Sequence, residues 1–513
     1  MRTTRTMQDG RLGGPPSEVN MRHSVAPHLQ YEVAALHSFM SVDMAHTVML
    51  AEQEILTREH AGSILGLLKE IDNLGPEGFP TDPAFGSLLL QVERFMIERI
   101  GEDIAGRMHT GRSRNDQSAA VNRLVARDRL LAILEALQRL QTTLLALADR
   151  HLETYMPGYT HLQHAQPSTL AHYLMRHYFT LERDQQRLEG AFERANLSAL
   201  GGAAMAGTSW PLDRERVSQL LGHERPVENA YDAGIFTRDY PSENAAVFSI
   251  LVNNIGRIAG DMYLWSTWEF GFAEIADSLA GTSSIMPQKK NPHALERIRG
   301  LSGKAIGWLP ATLGMLRSVS SSDLDLLFGE DLLPDMARDT LSVLELMLAS
   351  LETMVFNEER MLERVDVYWS TATNLADEMV RETGLPFRTV HSIVGRLVRL
   401  AVDQELTPAQ ISTELVDTAA EQTVGHKLGL TNELVRRGLD PVASVTSLIT
   451  AGSAHPDATR VTIETAHRYQ ESHRVWLEGK KSQIEGAATT LSAEVATLIA
   501  SANSSTPPAS DMS

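Results

Sequence analysis

Three polar stretches concentrate the side chains that could do chemistry in this chain. The first is His109-Thr110-Gly111-Arg112-Ser113-Arg114-Asn115-Asp116-Gln117. Two arginines beside hydroxyl and amide donors, at the positive end of a following helix, form an anion site. The same residues also read as an ordinary cap, with Ser, Asn or Asp starting the helix. The second stretch is Gly158-Tyr159-Thr160-His161-Leu162-Gln163-His164-Ala165-Gln166-Pro167. His161 and His164 suggest a metal pair, but no third ligand stands at a matching spacing, so no metal is expected. Imidazole titrates near neutrality, which makes an acid or base the better reading. The third stretch is Gly281-Thr282-Ser283-Ser284-Ile285-Met286-Pro287-Gln288-Lys289-Lys290-Asn291-Pro292-His293-Ala294-Leu295-Glu296. Asn291 and Pro292 predict an N-cap and first helical position. Lys289, Asn291 and that helix end would together hold a doubly charged anion.

The elements that must position these stretches are helices. Over 118–150, Val121, Leu124, Leu131, Leu134 and Leu145 fall near a 3.6-residue period. Segments 168–198, 244–275, 293–317 and 334–355 are as long and as unpunctuated, and alternating β-branched runs are scarce. Long helices that are apolar around much of their girth predict a central bundle buried further by self-association. Turn-rich breaks near 101–117 and 366–386 divide the chain. The expected organisation is a flexible arm over 1–28, an N-terminal helical domain over 29–115, the bundle over 116–365, a C-terminal helical domain over 366–486 and a flexible tail over 487–513. The glycine-rich stretch 200–208 lacks the strand and Gly-Lys-Ser/Thr of a nucleotide loop, and predicts close helix or subunit approach instead.

Composition narrows the function. The chain has 513 residues, 43% of them hydrophobic, which supplies a large core. Lys and Arg number 46 against 65 Asp and Glu, a formal charge of −19, so a nucleic-acid partner is not expected. The absence of cysteine excludes disulfides, thiolate metal sites and cysteine nucleophiles. No apolar run of membrane-spanning length stands out, and the N-terminus reads as neither secretory signal nor transit peptide. A cytoplasmic protein without a membrane partner is the expectation.

Taken together, the three stretches resemble the aspartase/fumarase superfamily. Ser283–Pro292 (SSIMPQKKNP) is similar to its signature loop, and HTGRSRNDQ and YTHLQHAQP resemble the argininosuccinate lyase branch in particular. Thr371–Ala376, Gly384–Arg388 and the glycine stretch look like that branch too, and the likeness runs from about 35 to 480. The resemblance implies an all-α, three-domain homotetramer with a twenty-helix core, and active sites assembled from three subunits. It implies anti elimination of fumarate from an N-substituted aspartate, run in either direction, with no metal or organic cofactor. By resemblance, Ser283 is the base, Lys289 stabilises the carbanion, and His161 protonates the leaving nitrogen with Glu296 behind it. Arg112, Ser113, Arg114, Asn115, Thr160, Arg238, Gln288 and Asn291 would bind substrate.

The chain departs from the branch at the amine side. The pattern Y-N-x-D-L-Q-E-D-K would place its Tyr, Gln and Lys at Asp323, Phe328 and Asp331, and Ser318–Asp331 contains none of those three types. Thr282 stands where a glycine normally precedes the base serine. A lysine replaced by aspartate disfavours an anionic substrate group and favours a cation. The expectation is therefore a fumarate-releasing C–N lyase with an altered amine pocket, in which Asp323 and Asp331 contact the amine. A genuine argininosuccinate lyase and a non-catalytic, crystallin-like member are the alternatives.

Overall fold

A computed structural model describes residues 16–234, 238–317, 319 and 331–504. Its spine is the helix Arg114–Arg150, which at 37 residues is about 55 Å long. Leu130, Ile133, Leu137, Leu140 and Leu144 are fully buried along it, a spacing of alternating three and four residues that keeps one seam inward. Leu131, counted on that face from the sequence, is only partly buried. The helices Leu170–Ala195, Tyr240–Trp265 and Leu333–Thr353 pack with this spine into one continuous apolar core. By length and composition alone one stretch of the spine could cross a membrane, but 56% of that stretch is buried within the protein.

Helix ends follow local chemistry. Ser113 caps the spine in a reciprocal capping box with Asp116, and the Thr169 hydroxyl accepts the His172 N–H at 3.2 Å to start the next helix. The single helix expected over 293–317 is two, His293–Ala305 and Trp308–Leu316, parted at Ile306-Gly307. The one expected over 244–275 ends at Trp265, and Ala273–Glu274 forms a short strand beside Val355–Phe356. Gly271, at φ 63°, makes the turn between them.

Among the described residues, both terminal segments are more ordered than the sequence suggests. The arm expected to be loose over 1–28 is helical from Glu18, through a π-helical stretch at Met21–Val25, to Ala34. It is tied down by buried Leu29 and by Glu32, whose carboxylate accepts the Leu88 N–H at 2.7 Å. The tail expected over 487–513 is helical as far as Ser504, as part of a 49-residue helix from Pro456. Leu491, Val495 and Leu498 bury themselves in the N-terminal apolar cluster. At Gly62 a Cβ would lie 2.4 Å from the Leu498 carbonyl oxygen, so glycine there lets the two backbones meet. A third, separate cluster spans Leu375 to Leu439.

Candidate active site

The Ser283 loop is fastened at its neck. Gly281 pairs with Asn291 and Thr282 with Lys290 in a two-stranded antiparallel ribbon. Lys290 pins that ribbon through Glu274 at 2.8 Å and Asp277 at 2.7 Å. A Cβ on Gly281 would lie 1.9 Å from the His293 ring, so only glycine lets the imidazole close over the neck. Beyond it, Ser284 to Lys289 are all exposed. The Ser283 hydroxyl oxygen accepts the backbone N–H groups of Ile285 at 3.3 Å and Met286 at 3.0 Å. Two amide donors aimed at one oxygen favour its anionic form, as a serine base requires. Exposed Lys289 takes part in no ion pair among the described residues. Asn291, read from sequence as the N-cap, is instead a strand residue. The helix starts at His293, with Pro292 in the cap position and no side-chain cap. Glu296, on its first turn, accepts the Tyr263 hydroxyl at 3.3 Å.

His161 occupies the turn of a β-hairpin, Tyr155–Thr160 against Gln163–Thr169, where the sequence pattern gave only a loop. His161 and Leu162 have φ values of 55° and 57°, as a two-residue type I′ turn requires. Neither is glycine, so the turn carries strain that the hairpin must offset. The bracing is aromatic. His164 packs edge-on to Tyr159 at 5.2 Å and to Tyr368 at 5.1 Å. Burial, then the nearby Arg364, lowers the His164 pKa, and burial pushes Tyr159 up to about 12. Thr160 and His161 themselves face outward and are exposed.

The Ser113 loop is built over buried charge. Arg112, expected to bind substrate, points inward instead. Its guanidinium is fully enclosed and lies 2.7 Å from the Asp43 carboxylate, which also accepts Gln117 Nε2 at 2.6 Å. A buried charge needs its partner, and Asp43 occupies this one. Burial raises the Asp43 pKa against the pull of Arg112 and Gln117. Below the loop, His46 Nε2 lies 2.9 Å from the Thr110 carbonyl oxygen, and burial holds its pKa well below the usual value. Burial and then Arg112 bring His109 down to about 4. Asp116 is the residue whose role the sequence did not disclose. One oxygen accepts Ser113 N–H at 2.8 Å, and the other accepts Gly201 and Ala203 N–H at 2.9 and 3.0 Å. The glycine-rich stretch is thus a loop docked on a carboxylate, and it also makes the close helix approach expected of it: a Cβ on Gly202 would lie 2.9 Å from the Ala230 carbonyl oxygen of the short helix Ala230–Ala233. Gly201 and Ala203 have positive φ so that their amides can converge. Arg114 is exposed above this base, with Ser113 and Asn115 half-buried beside it.

The amine-side candidates divide. Asp323 lies outside the described residues. Asp331 is partly buried, has one carboxylate oxygen without a hydrogen-bond partner, and feels the charges of His28 and Arg238. Burial raises its pKa, and those two cations oppose the rise. His28 in turn has its pKa raised, first by its bond to Glu32, and it senses Asp331 and Arg114 as well. Arg114, Arg238 and Asp331 therefore share one electrostatic neighbourhood, joined by His28 from the arm, which no sequence motif marked. Arg238 is buried at the approach to the helix Tyr240–Trp265. Gln288 stands exposed on the Ser283 loop.

The candidates thus form three groups in one chain, around Ser113, His161 and Ser283. Among the described residues no hydrogen bond, ion pair or ring contact joins His161 to Ser283, Lys289 or Glu296.

The model of the lyase family matches residues 11–307, and that of the argininosuccinate lyase C-terminal region matches 369–446. The chain is 40% identical over 458 residues to the argininosuccinate lyase of Methanosarcina acetivorans, covering 88% of this chain and 90% of that one. To the argininosuccinate lyase of Methanocaldococcus jannaschii it is 37% identical over 470 residues, 91% of this chain and 95% of the other. Among solved structures, EDDS lyase in complex with formate superposes with a TM-score of 0.86 at 32% identity, over 96% of this chain and 98% of that one. The class II fumarase of Schistosoma mansoni shares the fold, with a TM-score of 0.63 at 18% identity over 83% of this chain and 92% of that one. The chain belongs to the argininosuccinate lyase branch of the aspartase/fumarase superfamily, whose members of this kind are carbon–nitrogen lyases.

Proposed function

We propose that the protein cleaves argininosuccinate to fumarate and arginine, with Ser283 as the base. The observation that carries this reading is the turn at Ser283, where two backbone N–H groups converge on the hydroxyl oxygen of an exposed loop. The Cβ proton of a succinyl group is weakly acidic, so a base alone is insufficient. The carbanion must be stabilised as charge spreads onto the adjacent carboxylate. Lys289, on the exposed loop, and Asn291, at its neck, supply that field. Ser283 takes the Cβ proton, the C–N bond breaks with its electron pair going to nitrogen, and His161 protonates the departing amine. No oxidant or reductant is needed. Ser113, Arg114, Asn115 and Thr160 hold the succinyl carboxylates. No described contact joins the three groups within one chain, and the reading has copies of the chain complete one another's sites, in keeping with a homotetramer.

A second reading keeps the reaction and changes the amine. It is favoured by Asp331, an incompletely partnered carboxylate where the branch pattern has a lysine. In that reading the substrate is an aspartate N-linked to a different, cationic amine. Fumarate release from argininosuccinate, compared with fumarate consumption across a panel of amines, separates the two. Turnover of argininosuccinate well above every other pair supports the first reading, and turnover only with another amine overturns it.

A further inference from the structure

Behind the hairpin turn lies a cavity of about 420 Å³ that has His161 itself in its lining. One wall is the hairpin, from Met156 to Leu162. The opposite wall is formed by the first turns of the helix Leu170–Ala195 and the last turns of the helix Tyr240–Trp265. The volume lies in the range that holds a small organic molecule. Its lining combines three kinds of group. Arg176 supplies a cation and Asp261 an anion, while Trp265, Phe270 and Met156 supply an apolar floor. Among the described residues neither Arg176 nor Asp261 enters an ion pair, although both line the same space. Asp261 is held in place by the Tyr173 hydroxyl, which donates to its Oδ2 at 2.8 Å, and Tyr173 itself rests on Trp265 with ring centroids 4.6 Å apart. That bond uses one of the carboxylate's acceptor positions and leaves the rest free.

A cation and an anion that do not neutralise each other, set around an apolar floor, complement a molecule carrying both charges and an apolar body. The geometry points to a binding site for a free α-amino acid with an apolar side chain. Arg176 takes its carboxylate, Asp261 takes its ammonium group, and Trp265 and Phe270 cover its side chain. The occupant touches the strained turn that carries His161. The inference goes beyond the catalytic reading, since neither Arg176 nor Asp261 has a part in the elimination, although His161 lines the same cavity.

The test is calorimetric titration of the full-length protein with L-leucine. Isoamylamine, which lacks the carboxylate, and 4-methylpentanoate, which lacks the ammonium group, serve as controls. Leucine should bind, and each control should bind at least about tenfold more weakly, because each loses one charge-assisted contact. Arg176→Gln and Asp261→Asn should each weaken leucine by a similar factor, the latter keeping an acceptor for Tyr173. Lys289→Ala should leave leucine binding unchanged. Should Arg176→Gln fail to fold, Arg176→Met keeps the aliphatic stem and gives the same reading. Absence of leucine binding, equal binding of either control, undiminished binding by both cavity variants, or loss of binding in Lys289→Ala would each overturn the assignment. The last outcome would locate binding in the Ser283 region instead, whatever becomes of the proposed lyase activity.

Discussion

Ser113 and Ser283 each stand at the head of a polar loop that leads into a helix, yet the two loops are supported in opposite ways. Under Ser113 the protein has placed a sealed Arg112–Asp43 pair and a buried Asp116 that gathers three backbone amides. Under Ser283 there is a two-pair ribbon and a surface ion triad at Lys290, beyond which Ile285 is 82% exposed. The difference fits the two proposed tasks. Gripping carboxylates calls for donors that are fixed before substrate arrives. Removing a proton away from water calls for a segment that is free to close over the substrate. One loop is braced by charges that never meet solvent, and the other is tethered only at its neck.

Substitutions should sort by this division. Ser283→Ala should lower kcat by about 10²- to 10⁴-fold, the usual contribution of a positioned base. Its melting temperature should match that of the wild type, because the hydroxyl serves only its own exposed turn. Rate and calorimetry on the same sample check both parts. Arg112→Gln should act through stability instead, costing about 3–5 kcal/mol in denaturant titration, because Asp43 would stay buried without its cation. A near-neutral result there would mean that Arg112 is not structural and would reopen its role at the substrate. Asp116→Asn should cost less, about 1–3 kcal/mol, since the amide keeps one acceptor for the three N–H groups. Hydrogen exchange should then quicken at Gly201 and Ala203 before it changes elsewhere.

A contact remote from both loops gives the comparison a baseline. His473, on the long C-terminal helix, lies 2.6 Å from Glu189 and 2.8 Å from Glu182 on the helix Leu170–Ala195. Burial lowers its pKa, but the two carboxylates more than offset this and raise it to about 9. Because the folded value exceeds the unfolded one of about 6.5, its contribution is complete below about pH 6.5 and lost as pH rises through about 9. His473→Gln should remove that part of the pH dependence of the unfolding midpoint while leaving the Ser283→Ala rate effect intact.

Much of this arrangement was legible in the residues. The 3.6-residue pattern gave the spine, and Ser113, Asn115 and Asp116 were recognisable as capping types at its start without the reciprocal Ser113–Asp116 bond being apparent. The SSIMPQKKNP loop announced itself by density of functional groups. What the residues concealed was direction and distance. Nothing local distinguishes the inward Arg112 from the outward Arg114, since the partner that decides it, Asp43, lies 69 positions away. The ordered arm and tail were hidden for the same reason. Glu32, Leu491 and Leu498 gain their meaning only from helices elsewhere in the chain. The hairpin at His161 was missed because its turn uses two non-glycine residues at positive φ, which sequence preference argues against.

The central claim is that Ser283 and His161 serve one reaction although no described contact joins them within a chain. Mixing Ser283→Ala with His161→Ala protein, each inactive alone, and allowing subunits to exchange measures this directly. The account predicts that fumarate release reappears in the mixture, because some sites then receive an intact serine from one copy and an intact histidine from another. Activity no greater than either parent, with exchange demonstrated and both variants folded, would contradict it.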